Sequence, residues 1–159
     1  MRYELYFDDF KVGDTFTTYS MTVTEEAIID FAMRWDPYDY HVSVEAARKH
    51  PFGLDTVFAS GFHTLCLSFR LFSQSGVLRD CGISGGGIEG LRWFEPVVPG
   101  DTLHAEVEVI ATKASESNNQ RGVVTMRHDT VNQHGKTVLT LECAHIVARR
   151  SQAKSGAAE

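Results

Sequence analysis

Apolar residues recur along the chain with two different periods, and the change of period separates predicted helices from predicted strands. Apolar residues between positions 27 and 32 follow a helical spacing soon after Thr24, whose hydroxyl makes it a good N-cap. This helix must end near Asp36, because Pro37 disfavours the α conformation in the residue before it. Asp36 is therefore predicted at the C-terminus of a short amphipathic helix.

A longer helix is predicted from Gly61 to Phe72, and its apolar residues cover most of its circumference. Such a helix is normally buried, so we expect it at the centre of the fold. Between the two helices, Ser43 is predicted to cap a short helix over residues 44–49. The main apolar stripe of the long helix comprises Phe62, Leu65, Cys66, Phe69 and Phe72.

The remaining periodic segments have the composition or the alternation of strands. The loop 132–136 has the composition of a hairpin connection between the last two of them. The glycine-rich stretch from Gly76 to Gly87 is predicted to be a flexible connection. The predicted strands are residues 15–23, 88–94, 102–111, 123–131 and 138–147.

Together these elements predict an α+β fold: an antiparallel sheet of about five strands wrapped around one long central helix, with short helices inserted before it. We expect a single domain over residues 1–150 and a disordered C-terminal tail over 151–159, because the tail is small and polar. The open edges of such a sheet favour a homodimer or a higher homo-oligomer.

Composition narrows the class of partner. The chain has 159 residues and a net charge of −6, which argues against nucleic acid or an anionic membrane as the main partner. Its three cysteines form no Cys-x-x-Cys pair, which favours free thiols in a reducing compartment, and Cys66 and Cys143 are expected in the core. With no signal segment and no apolar run near ~20 residues, we expect a cytoplasmic protein.

The residues that could carry chemistry lie on both sides of the predicted short helix over residues 44–49. Asp36 and His41 stand five residues apart in a non-helical connection, and Ser60 and Gly61 open the long helix. A carboxylate, an imidazole and a helix N-terminus with free N–H groups are the parts needed to move protons beside a carbonyl. From spacing alone, His41 is equally compatible with a surface histidine. The other histidines show no metal-ligand spacing, so no metal site is predicted.

Several short motifs occur in an order that resembles the MaoC-like dehydratase family, which includes the (R)-specific enoyl-CoA hydratases. They are Phe-Asp-Asp-Phe-x-Val-Gly-Asp, Thr-Val-Thr-Glu, Asp-x-x-x-x-His, Ala-Ser-Gly-Phe-His-Thr and Leu-Arg-Trp-Phe-Glu-Pro-Val-x-Pro-Gly-Asp-Thr-Leu. The resemblance extends over residues 6–147, nearly the whole chain.

This resemblance implies a hot-dog fold and a dimer with active sites near the subunit interface. It also implies reversible addition of water to a trans-2-enoyl thioester, with coenzyme A present only as part of the substrate and no separate cofactor. By analogy, Asp36 and His41 match the catalytic pair. Gly61 matches the residue whose backbone N–H holds the thioester oxygen.

The chain departs from the family pattern at several positions. Trp35, Tyr38 and Asp39 stand where Gly, Asn and Pro are common, and Ser60 stands where His is frequent. Ser60 is expected to be an N-cap first and a substrate contact second. The candidate substrate-binding residues are Ser60, Phe62, Tyr38, Gly86 and Arg92.

Two other functions remain open. One is a hot-dog acyl-CoA thioesterase, which would release free thiol from the same kind of ligand. The absence of a carboxylate between Gly61 and Arg79 counts against it, because the thioesterase motifs carry one on or beside the central helix. The other is a non-catalytic acyl-CoA-binding or subunit protein, in which Asp36 and His41 would have no chemical role.

Overall fold

A curved antiparallel sheet lies against one long helix in the computed structural model, which describes residues 3–150. The predicted tail at 151–159 lies outside the described residues. The strands are β1 (Thr15–Thr17), β2 (Met21–Thr22), β3 (Gly82–Trp93), β4 (Thr102–Ala114), β5 (Arg121–Val131) and β6 (Thr137–Ala148). The helices are α1 (Glu25–Trp35), α2 (Val44–Lys49) and α3 (Gly61–Ser75), with single 3₁₀ turns at Phe7–Asp9 and Asp39–His41.

The strands follow the order β1-β4-β5-β6-β3, and β2 also pairs with β4. The sheet therefore has six strands rather than about five, because the predicted strand 15–23 is divided. Thr17 pairs with Glu106 and Met21 pairs with Leu103. Four residues along the segment 17–21 therefore match three residues along β4. The extra residue forms a bulge, which ends β1 and starts β2.

The core lies between α3 and the concave face of the sheet. The alternation predicted for residues 102–111 and 138–147 is confirmed, since Leu103, Val107, Leu141 and Val147 are all buried. Cys143 is buried on the same face, as predicted. This long helix held in a curved antiparallel sheet is the hot-dog fold.

The buried face of α3 differs from the predicted stripe. The helix buries His63, Thr64, Leu67, Ser68, Leu71 and Phe72. Phe62 is 60% exposed and Cys66 is exposed, so the prediction that Cys66 belongs to the core is wrong. Small polar residues can face the sheet because they find partners there: the Thr130 hydroxyl on β5 donates to the Ser68 Oγ atom at 2.8 Å.

The glycine-rich stretch is only partly a connection. From Gly82 onward it forms β3, which pairs with β6 from Gly82 opposite Val147 to Trp93 opposite Leu139. The register shifts three times along this pairing, and Gly90 has a φ of 61°, a backbone conformation that favours glycine. Glycines at such irregularities weaken the sequence signal for a strand without preventing its ladder. None of the helices within residues 3–150 is long and apolar enough to cross a membrane.

Candidate active site

Asp36 is positioned by the end of α1. The Thr24 hydroxyl caps the start of this helix by accepting the N–H of Ala27 at 3.1 Å, as the sequence predicts. At the other end the N–H of Asp36 donates to the Ala32 carbonyl at 2.9 Å, and Pro37 prevents a further turn. The side chain of Asp36 is left 17% exposed, at the edge of the core.

His41 is brought back toward Asp36 by the 3₁₀ turn at Asp39–His41. Its side chain is 5% exposed, and Nδ1 lies 2.7 Å from the carbonyl oxygen of Phe58. Because a carbonyl oxygen only accepts, Nδ1 must carry the hydrogen. In the neutral ring the lone pair is therefore on Nε2, which lies 3.6 Å from Asp36 Oδ2.

Ser60 joins this pair to the start of α3. It is fully buried, and its hydroxyl accepts the N–H of Phe62 at 3.1 Å, so the predicted N-cap is present. The same hydroxyl donates to Asp36 Oδ2 at 2.5 Å. Sequence reasoning did not predict this second bond, because the two residues are 24 positions apart.

Gly61 is the first residue of α3, and its N–H has no acceptor among the described residues. Trp93, from the end of β3, covers the residue: its Nε1 donates to the Gly61 carbonyl at 2.8 Å. A Cβ atom at position 61 would lie 2.9 Å from the indole ring, so only glycine fits under Trp93 as it stands. Trp93 was not singled out from the sequence, although it lies within the Leu-Arg-Trp-Phe-Glu-Pro motif.

Asp36, His41 and Gly61 line one cavity of about 410 Å³. One wall contains Tyr40 and Phe58, whose rings are parallel with centroids 5.4 Å apart. Burial of the Tyr40 phenol, with the Asp36 carboxylate near it as a second cause, raises its pKa. The cavity thus combines an apolar wall with a carboxylate, an imidazole and an unpaired amide.

Only some of the predicted substrate-binding residues lie at this cavity. Phe62 lines the cavity, and Ser60 lies directly behind it through its bond to Asp36. Tyr38 stacks on the outer face of Tyr40 at 5.3 Å and is 60% exposed. It is not part of the lining.

The structure does not bring Gly86 and Arg92 to this cavity. Gly86 lines a separate cavity of about 150 Å³ with Glu142 and Ala144. It lies there because only the end of β3, at Trp93, reaches the start of α3, and Gly86 is seven residues earlier on the strand. The exposed Arg92 guanidinium donates to the carbonyl of its neighbour Leu91.

Three histidines are buried outside the site. His63, expected to be structural, stacks on Phe31 with ring centroids 4.6 Å apart, and burial lowers its pKa. His145 lies in the core, as predicted, and its Nε2 is 3.4 Å from Nε2 of His128. Burial lowers the pKa of His128 to about 3 and that of His145 to about 4. Within residues 3–150, no group of three His, Cys, Asp or Glu residues could hold a metal ion.

Known proteins resemble this chain over most of its length. Residues 9–132 match the family model described as MaoC like domain. The crystal structure of the MaoC-like dehydratase from Rhodospirillum rubrum is 41% identical, with a TM-score of 0.85 over 92% of this chain and 98% of that one. The uncharacterized protein YdeM of Bacillus subtilis is 33% identical over 89% of this chain and 98% of its own length.

A shorter match links the chain to a protein with a named activity. Mesaconyl-CoA hydratase of Cereibacter sphaeroides is 46% identical over 68 residues. These residues make up 43% of this chain and 19% of that protein.

Proposed function

The chain belongs to the family of MaoC-like domains, and from this premise we propose that it is a hydro-lyase that adds water reversibly to trans-2-enoyl thioesters of coenzyme A. One observation carries the proposal: the His41 imidazole, the Asp36 carboxylate and the unpaired Gly61 amide meet in a single cavity. These groups supply a base, a water-orienting acceptor and an oxyanion donor. The match to a protein named as a hydratase supports the same class of reaction.

His41 is the proposed base. Because its Nδ1 hydrogen is donated to the Phe58 carbonyl, the Nε2 lone pair is available to take a proton from water. Asp36 Oδ2, 3.6 Å from Nε2, accepts the other hydrogen of the same water and orients its oxygen. The carboxylate charge also stabilises the imidazolium that forms.

The Gly61 amide is the proposed partner of the thioester oxygen. When the water oxygen attacks the β-carbon, the electron pair of the double bond moves toward the thioester and leaves negative charge on its oxygen. A backbone N–H at the positive end of a helix dipole is well suited to hold that charge. The His41 imidazolium then returns its proton to the α-carbon, so one water has been added and His41 is neutral again. Dehydration is the same path reversed.

We further propose that the protein acts as a homodimer formed through β3. This strand is at the edge of the described sheet, with β6 as its one neighbour there, and nearly all of its residues are exposed. It presents Ile83 and Ile88 at 53% and 44% exposure, and the outer face of α3 presents Phe62. A second copy related by two-fold symmetry would pair with this edge and cover these side chains.

The reaction is tested by incubating the purified protein with trans-2-enoyl-CoA thioesters of short, medium and long chain. Enoyl absorbance and free thiol are followed in the same samples. We expect absorbance to fall without release of thiol. Stoichiometric thiol release would instead identify a thioesterase, and no change with any chain length would contradict an enzymatic role on these substrates.

A further inference from the structure

We infer that the cavity accepts only uncharged acyl groups, so that thioesters of unsaturated dicarboxylic acids are excluded. The inference rests on the proposed function and concerns the charge of the residues that surround the acyl group. Two carboxylates line the cavity, those of Asp36 and Glu95. No lysine or arginine is among the described residues that line it.

The cations nearest to the lining residues are already paired or exposed to solvent. Lys49, beside His50, lies 2.7 Å from Glu45 Oε1. Lys136 Nζ lies 3.6 Å from Glu95 Oε1, so these two exposed charges offset each other. Arg92 precedes the lining residue Trp93, but its guanidinium is exposed and donates to the Leu91 carbonyl. A free carboxylate on the acyl group would therefore share the cavity with the Asp36 carboxylate and find no unpaired cation, which is unfavourable.

The two imidazoles that line the cavity, those of His41 and His50, are also engaged with protein groups. His41 is committed through Nδ1 to the Phe58 carbonyl, and its Nε2 faces Asp36. His50 accepts the N–H of Phe52 at 3.2 Å through Nδ1, and its ring packs against Tyr40 at a centroid distance of 4.7 Å. Both rings are therefore held by protein groups.

Aromatic faces occupy the walls instead. Tyr40 and Phe58 stack on one side. On the other, the rings of Phe62 and Trp93 meet edge to face with centroids 6.2 Å apart. The one buried hydroxyl among the lining residues, that of Thr64, already donates to the Ser60 carbonyl at 3.3 Å. Flat, apolar alkyl-enoyl or aryl-enoyl groups fit such walls, because aromatic rings favour apolar and π contacts.

Binding of unreactive thioesters tests the inference apart from the reaction. Isothermal titration of the full protein compares butyryl-CoA with succinyl-CoA, which differ in a terminal methyl against a terminal carboxylate. We expect butyryl-CoA to bind at least about tenfold more tightly. Equal or tighter binding of succinyl-CoA overturns the inference, and so does the absence of binding by both. If butyryl-CoA binds more tightly than succinyl-CoA but no enoyl thioester is hydrated, the proposed reaction is wrong and the inferred acyl specificity is still supported.

A second test compares the rates at which the enzyme hydrates charged and uncharged substrates. Crotonyl-CoA, fumaryl-CoA and the methyl ester of fumaryl-CoA are compared by kcat/KM. The ester keeps the bulk of the diacid without its charge, so it is expected to be hydrated while fumaryl-CoA is not. Rejection of both would assign the discrimination to size and overturn the role of charge.

Glu95→Gln is the matched variant. It is expected to raise the ratio of fumaryl-CoA to crotonyl-CoA turnover several-fold, because it removes a carboxylate from the lining and leaves Lys136 without its partner. Glu116→Gln, an exposed carboxylate in the β4–β5 connection, serves as the control and should leave that ratio unchanged. An unchanged ratio in Glu95→Gln would show that this carboxylate does not select the substrate.

Discussion

The Ser60 hydroxyl binds Asp36 and caps α3 at the same time, donating to Asp36 Oδ2 at 2.5 Å and accepting the N–H of Phe62 at 3.1 Å. The orientation of the proposed water-holding carboxylate is therefore tied to the start of the helix that supplies the Gly61 amide. One side chain thus coordinates two parts of the site that are distant in sequence.

Ser60→Ala is expected to lower kcat about 10- to 100-fold, because Asp36 loses the donor that fixes it. It should also lower the free energy of unfolding by about 1 kcal/mol through loss of the cap. Ser43→Ala is the matched control: it removes the cap of α2 without touching Asp36. If both variants lose stability but Ser60→Ala keeps wild-type kcat, the anchoring role is wrong.

Replacement of the proposed catalytic pair tests the chemistry itself. His41→Gln and Asp36→Asn should each lower turnover at least ~100-fold, because the first removes the base and the second the carboxylate that orients water. Circular dichroism should remain that of the folded protein. His134→Gln, in the exposed β5–β6 hairpin loop, should keep normal turnover. Wild-type rates in either variant at the pair would remove that residue from the mechanism.

The packing of Trp93 over Gly61 predicts an interaction between two substitutions. Gly61→Ala places a methyl group 2.9 Å from the indole and should lower both Tm and kcat. Trp93→Phe removes the ring atoms that it meets, along with the bond to the Gly61 carbonyl. We expect the double variant to lose less stability than the sum of the single losses, as measured by thermal unfolding. Strictly additive losses would contradict the contact.

The buried histidine pair predicts an acid-sensitive fold. The pKa values of His128 and His145 are lowered to about 3 and about 4, so below their ordinary value near 6.5 the unfolded chain binds more protons than the folded one. Stability should therefore fall as the pH drops from 6.5 toward 4, by up to about 1.4 kcal/mol per pH unit for each ring.

Urea unfolding across this pH range measures the effect. His145→Gln removes one titrating ring and should flatten the dependence, whereas His134→Gln should not. An identical slope in wild type and His145→Gln would rule out a contribution from the pair.

The proposed dimer can be tested at the edge strand. Ile88→Lys places a charge on the exposed β3 edge, which should disfavour pairing with a second copy. Light scattering after size exclusion is expected to give a dimer for the wild type and a shift toward monomer for the variant. Glu116→Lys provides an exposed charge change away from β3. A wild-type monomer at micromolar concentration would contradict the proposal.

Local signals in the sequence were sufficient for α1, α2, the β5–β6 hairpin and the capping residues. Thr24, Ser43 and Ser60 all cap the helices expected of them, because capping depends on a side chain and the two or three residues after it. The buried face of α3 could not be predicted in the same way. Its polar residues are buried by partners on the sheet, such as Thr130 for Ser68, that only the tertiary fold provides.

The candidate site likewise contains residues that the sequence predicted and contacts that only the tertiary fold provides. The ordered motifs were enough to select Asp36, His41 and Gly61, and the structure brings these three to one cavity. The bond from Trp93 to Gly61 spans 32 positions, and no local pattern marks it. Gly86, expected to bind substrate, lies elsewhere along β3 and lines a separate cavity.

The position of β3 in the sheet has a consequence for newly made chains. Its sheet neighbour β6 begins at Thr137, whereas β3 ends at Trp93. During translation β3 is therefore synthesised before the strand with which it pairs. At ~5–20 residues per second this interval is roughly 2–9 s. The glycines between positions 82 and 90 give β3 little tendency to aggregate in the meantime. A strand that is weak by itself can thus stay unpaired on the ribosome until β6 emerges.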